Sequence, residues 1–311
     1  MRFGRSMVLV AILLAGGPML SVLRAQHAAG EARHDQLDIV EHIGNSHRLE
    51  FPGGVWELPR FAPLHIGGIT VDLSPTKHLA YMLLAALIVG LTFTLSARAV
   101  ARAQSQGRSP KGFAGTMEAM ALFIRQEVVV PNVGHHGEGF APYLLTLFFF
   151  ILTMNLLGLL PWGATATGNI AVTAALAIMA FLTIEVAGMR TLGFKGYMGT
   201  IFFLPHGLPG GVGGTFLKLL LLVVMTPIEL IGKLAKPFAL AVRLFANMTS
   251  GHVLVLALIG LTFLFQSYAV GLSASLLATG VMVLELFVAF LQAFVFTLLT
   301  SVFIGLMRSE H

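Results

Sequence analysis

The chain has no cysteine, which excludes disulfides and thiolate metal sites outright. Charge is scarce: Asp, Glu, Lys and Arg make up 11% of its 311 residues, where soluble domains carry about 25%. That shortage excludes an ordinary soluble domain. Tryptophan is scarce too, with 2 residues against 24 phenylalanines. The net charge of +5 has no separate basic domain behind it, so nucleic acid is not an expected partner. Basic residues beside membrane spans account for it through the positive-inside rule. What the chain does have is apolar residues, 56% of the total, and a mean hydropathy of +0.86. Its 34 glycines suit close helix packing in a bilayer. The expected fold class is an all-α polytopic membrane protein.

Residues 1–25 read as a signal peptide, with Arg2 and Arg5 at the charged start and "MVLVAILLAGGPML" as the apolar centre. Leu23 makes "LRA" a weak cleavage pattern, so an uncleaved anchor is the alternative. Residues 26–76 are polar and hold His27, His34, His42, His47 and His65. No two of them have tight ligand spacing, so a solvated extracytoplasmic segment is favoured over a metal site. "FPGGVWELP" and "ITVDLSP" have the look of turns and short extended pieces.

Residues 77–311 form the expected membrane domain. A first span is expected at about 78–98 and is followed by Arg98, Arg102, Arg108 and Lys111, a cytoplasmic signature. Residues 112–130 mix apolar positions with Glu118, Arg125 and Glu127, which predicts an interfacial amphipathic helix. Further spans are expected at about 140–160, closed by Pro161 and Trp162, and at about 169–189, before Arg190 and Lys195. The loop "LPHGLPGGVGG" lacks the lysine and hydroxyl ending of a phosphate loop. It reads as a connector. The stretch from Thr215 is about 50 residues long, enough for two spans at about 20 residues each. Pro227 and Pro237 are expected to bend or interrupt it. A last long apolar helix, about 274–307, ends in "MRSEH" on the cytoplasmic side. The expectation is about five membrane helices, the last two long, tilted and striped with polar groups.

Those stripes carry the functional signal. Arg243 and Asn247 are four residues apart, Glu285 and Gln292 seven apart, and Glu229, Lys233 and Lys236 stand at i, i+4 and i+7. Each set therefore shares one helix face. A charge at the centre of a membrane helix costs about 2.5–3.5 kcal/mol on insertion scales, so such groups face a bundle interior or a water path. Arg243 has a bland alternative as a snorkelling arginine. It stays charged, so it can attract a carboxylate or repel cations without relaying protons itself. His252 and Glu285 can both gain and lose protons and are candidates for a proton wire; each alone could instead be a structural hydrogen bond. Gln292 fits an interhelical hydrogen bond. Glu229 with Lys233 reads as an i, i+4 ion pair. Asn155 and Asn169 read as packing and cap residues.

At this point "KPFALAVRLFANMTSGH" resembles the signature of subunit a of F-type ATP synthases, the stator part of a membrane rotary motor. "FAPYLLTLFFFILTMNLLGLLPW", "VTAALA", "PIELI" and "LQAFVFTLLTSVFIGLM" resemble the same family in the same order, so the resemblance covers about 112–308. It implies a non-catalytic membrane subunit in a bacterial inner membrane, with its mature N-terminus extracytoplasmic and its C-terminus cytoplasmic. The partners implied are the c-ring, the b/b′ peripheral stalk, the remaining F1Fo subunits and lipid, with no cofactor and no metal. Arg243 matches the arginine that faces the c-ring carboxylate. Asn247 matches the polar residue one turn on, and Gln292 the glutamine that packs near the arginine. Glu229 matches an acidic position tied to the cytoplasmic outlet.

His252 and Glu285 fall where the well-known bacterial form has an acid and a histidine, exchanged here. Asn169 stands where many relatives have an aspartate, and the N-terminal region is longer than in the simplest bacterial forms. The implied function is two offset proton half-channels serving the c-ring, with the translocating core at 215–308. A secondary transporter using Arg243 for an anionic substrate is the competing reading, but no repeated halves are visible. A purely structural membrane scaffold leaves the co-facing polar groups unexplained.

Overall fold

Two short antiparallel hairpins lead into the helices. β1 (Arg48–Phe51) pairs with β2 (Gly54–Glu57), and β3 (Leu64–Ile66) with β4 (Ile69–Val71). They are the extended pieces expected around "FPGGVWELP" and "ITVDLSP". The structure, a computed structural model, describes residues 46–309 except 52–53, 62–63, 67–68, 73, 135–136, 161–162 and 203–211. The expected signal peptide, His27, His34, His42, Trp162 and most of the glycine-rich loop lie outside the described residues. Arg48 and Glu57 face each other across the first hairpin at 3.5 Å, both exposed, so the pair contributes little. The hairpin segment is tied to the first helix by backbone: Lys77 N–H donates to the Ser46 carbonyl at 3.0 Å, and His47 Nδ1 lies 3.0 Å from the Pro75 carbonyl oxygen.

Seven α-helices follow: α1 (Lys77–Ser105), α2 (Phe113–Phe123), α3 (Val130–Val133), α4 (Ala141–Gly158), α5 (Ile170–Ile201), α6 (Val212–Phe265) and α7 (Tyr268–Ser309). Among the described residues five helical stretches, in α1, α4, α5, α6 and α7, are long and apolar enough to cross a membrane. The sequence placed spans in the same places, with α5 extending twelve residues further than the 189 expected. The backbone of α5 breaks from helical geometry at Gly193 (φ 68°, ψ 167°), just beyond the expected end. Asn169 caps α5 as expected, its side chain accepting from the Ala171 N–H at 2.9 Å.

The segment expected to lie at the interface is helical and is not among the described stretches long and apolar enough to cross a membrane. α2 runs through a π-helical turn (Ile124–Val129) into α3. Ile124, Val128, Val129 and Val133 are buried while Arg125, Gln126 and Glu127 are exposed, so this stretch is amphipathic. The wide turn leaves the Val128 carbonyl accepting from Asn132 Nδ2 at 2.7 Å and from Ser301 Oγ of α7 at 3.4 Å. Close by, α7 runs backbone to backbone with α3. A Cβ on Gly305 would meet the Asn132 carbonyl oxygen and carbon, so only glycine fits there.

One expectation is corrected. Pro227 and Pro237 do not interrupt the chain: α6 is a single helix of 54 residues through both. Each proline removes one backbone donor without ending the helix. At 1.5 Å per residue α6 is about 81 Å long, against about 40–45 Å for a bilayer with its headgroups. An apolar helix of that length must lie strongly inclined. A two-residue link, with Gln266 at φ 45°, returns the chain as α7. The two helices run antiparallel: Gly251 packs on Glu285 and Lys236 on Phe303.

The core sits where α4 and α5 meet the C-terminal half of α7, around Phe148, Ile151, Met154, Ala293 and Ile304. Asn155, fully buried, donates from Nδ2 to the Ala289 carbonyl of α7 at 3.1 Å and accepts from Thr167 Oγ1 at 2.7 Å. Its packing role is as expected: both halves of a buried amide find partners. The N-terminal half of α7 is bare by comparison, with Leu272, Leu276, Leu277, Val283 and Phe287 exposed.

Candidate functional site: two polar pockets and an outward-facing arginine

The antiparallel α6–α7 pair organises every polar residue singled out in the sequence. One polar pocket lies between the end of α4, the 165–168 turn, α6 and α7. Asn247, His252, Glu285 and Thr165 all line it. The Glu285 carboxyl sits directly over Gly251: a Cβ there would collide with Glu285 Oε1 and its carboxyl carbon. Glycine at this position lets the carboxyl lie flat against α6, next to His252. The pairing of an imidazole and a carboxylate on facing helices, expected from the stripes, is thus realised as a shared pocket.

A second cavity continues the first. It is lined by His78, Thr165, Thr249 and His252, so Thr165 and His252 belong to both. His78 Nδ1 lies 3.2 Å from the Thr165 carbonyl oxygen, and His78 is buried. The Thr249 hydroxyl is buried with no protein partner, the signature of a group that bonds water. The sequence reading passed over His78. Its signal was available: a histidine within the first turn of an apolar helix.

The opposite end of the bundle holds the third polar cavity, lined by Glu185, Thr200, Glu229, Lys233, Lys236 and Phe303 among others. Here the sequence expectation fails. Lys233 does not pair with Glu229, its i−4 neighbour. It reaches Glu185 of α5, Nζ to Oε2 at 3.7 Å, and both are buried. Lys233 Nζ also donates to Thr200 Oγ1 at 3.1 Å and lies 4.7 Å from the centre of the Tyr197 ring, whose hydroxyl donates to Glu185. Glu185 and Tyr197 were not singled out in the sequence, because a lone acid twelve residues before a tyrosine has no helical-face signature. Glu229 itself is exposed.

Arg243 stands between the cavities. It is ten residues from Lys233 and nine from His252 on one helix, hence about 15 Å and about 14 Å along its axis. The antiparallel packing sets Gln292 level with the Arg243–Asn247 turn. Gln292 is buried and Arg243 is exposed. Its neighbours one helical turn away on either side, Ala239 and Ala246, are exposed as well. No carboxylate among the described residues pairs with Arg243. An exposed guanidinium with no ion partner inside the chain is free to meet a negative group on another molecule.

The fold and these pockets define a class: a multi-pass helical membrane protein with polar cavities at opposite ends of its bundle and a fixed cation between them. Comparison with known sequences makes it specific. The family profile described as ATP synthase A chain matches residues 79–305. ATP synthase subunit a of Chloroherpeton thalassium is 40% identical, over 97% of this chain and 88% of its own length. ATP synthase subunit a 2 of Chlorobium luteolum is 42% identical over 94% and 82%, and the subunit a of Anaeromyxobacter dehalogenans 38% over 91% and 74%. The chain belongs to the ATP synthase subunit a family.

The Gly251 contact makes a sharp test of the pocket that holds His252 and Glu285. Gly251→Ala is expected to displace the Glu285 carboxyl and slow passive proton flux through the membrane sector, with complex assembly intact. Flux equal to the parent's in stripped vesicles would show that the carboxyl's position does not matter.

Proposed function

We propose that this chain is the proton-conducting stator subunit of a bacterial inner-membrane F-type ATP synthase, itself non-catalytic. In this reading residues 26–76 and the His78 end of the bundle face the outside, and Arg308 and the Glu185 end face the cytoplasm. A proton enters through the His78, His252 and Glu285 cavities and neutralises a carboxylate on a c subunit docked against the exposed face of α6 and α7. The neutral site can then move through lipid, where a charged one would be costly. After nearly a full turn of the ring it meets the path lined by Glu229 and loses its proton to the cytoplasm.

Arg243 separates the two paths. Its permanent charge favours the ionised ring carboxylate and repels protons from a direct crossing. Asn247 and Gln292 support that turn from either side. A charge crossing 100 mV yields about 2.3 kcal/mol, so several steps are summed per ATP, which is what a ring provides. The observation that carries this reading is Arg243 itself, exposed and without an ion partner among the described residues, between two cavities at opposite ends. A transporter would need its arginine inside a substrate cavity, and Arg243 lines neither of these two.

A tagged form of the chain, isolated from native membranes in mild detergent, is expected to bring with it a ring of small hairpin proteins and a b/b′ peripheral stalk. Recovery without any ring would sink the proposal.

A further inference from the structure

Lys233 has a choice of two carboxylates, and the structure records which one it takes. Glu229 and Lys233 are spaced i, i+4 with the acid first, the better orientation for a helical ion pair. Both line the same cavity. Yet Lys233 turns inward to Glu185, Thr200 and the Tyr197 ring. The other cation within helical reach of Glu229, Lys236, lies with its Nζ 4.9 Å from the centre of the Phe303 ring on α7. Both lysines of the cavity are thereby held off Glu229, which has no ion partner among the described residues.

A buried ion pair is a poor way to gain stability, since an apolar pair of the same volume is often as good. The Glu185–Lys233 pair therefore calls for another reason. We infer that Glu185 is a positioning residue that captures Lys233, keeping the Glu229 carboxylate unpaired so that it can accept and release protons on the outlet side. Tyr197 fixes the Glu185 carboxyl by donating its hydroxyl, and the kink at Gly193 lies between the two on α5. With Glu185 removed, Lys233 loses its inward partner and the i−4 carboxylate becomes its nearest alternative. In a low-dielectric cavity that pair is stronger than on an open helix, and a carboxylate so paired gives up its place in proton exchange.

This rests on the outlet role proposed for Glu229, and the variants separate the two. The measurement is ATP-driven proton pumping in inverted membrane vesicles, per assembled complex. Glu229→Gln tests the outlet role alone and is expected to lose most pumping. Glu185→Gln is expected to lower pumping about fivefold or more, the effect of a new ion pair at partial screening. Lys233→Gln breaks the same buried pair from the other side but removes the competitor, so pumping is expected to stay close to the parent's. The double variant Glu185→Gln with Lys233→Gln leaves no buried unpaired charge, assembles readily, and is expected to pump close to the parent's rate. Equal losses in the two single variants would mean that the pair is merely structural, and would overturn the inference. A double variant as impaired as Glu185→Gln would overturn it too, because Glu185 would then be carrying protons itself. Parent-level pumping in Glu229→Gln would remove the outlet role and this inference with it.

Discussion

Arg243→Ala is expected to abolish proton-driven ATP synthesis while leaving the complex assembled. The side chain is exposed and has no ion pair or hydrogen bond among the described residues, so its loss leaves no cavity and no orphaned partner within the chain. Nothing in the packing of α6 depends on it. What is lost is the fixed charge facing the docked carboxylate. An ionised carboxylate on an apolar interface without a counter-charge is penalised by several kcal/mol, and about 3 kcal/mol is already a hundredfold in rate. Arg243→Lys keeps the charge but not the planar fork, and is expected to fall between the parent and the alanine variant. Coupled synthesis at the normal rate in vesicles carrying Arg243→Ala would end the motor assignment.

The second large effect is expected at the inlet. His252→Ala and Glu285→Ala should each slow passive proton flux through the membrane sector by about tenfold, equivalent to about 1.4 kcal/mol on the barrier. The two groups line one cavity on facing helices, and His252 also lines the next cavity outward, with His78. Removing either interrupts a chain of groups and water rather than a single contact. The double variant should be little worse than the more severe single one, because groups acting in series couple. Unchanged flux in both single variants would take them out of the path.

The sequence was most legible where period and composition act locally. Apolar runs located all five membrane helices, and helical spacing placed Arg243 with Asn247 and Glu285 with Gln292. The alternation in 112–130 disclosed a helix with a wet face. It failed where the answer depends on what lies across a gap. The i, i+4 rule paired Lys233 with Glu229, but a lysine beside a buried cavity follows desolvation and the full set of partners, and those come from α5. The prolines at 227 and 237 were read by the rule for helix interiors, whereas α6 continues through both. His78 was passed over because what gives it meaning, the 165–168 turn folding over it, lies more than eighty residues away.

The grip on α7 is uneven, and that has a mechanical meaning. Asn155 at Ala289, Asn132 against Gly305, and Arg308 donating to the Val133 carbonyl at 3.2 Å all hold its C-terminal half. The half from Tyr268 to Phe287 projects with many of its side chains bare, packed on α6 through contacts such as Glu285 on Gly251. The hairpin is thus a cantilever, clamped at one end. A sideways push on its outer face is borne stiffly near Gln292 and Arg243 and is taken up as flexure towards Gln266. Elastic give is therefore concentrated at the inlet end, while the fixed cation keeps its station as the surface beside it is loaded and released.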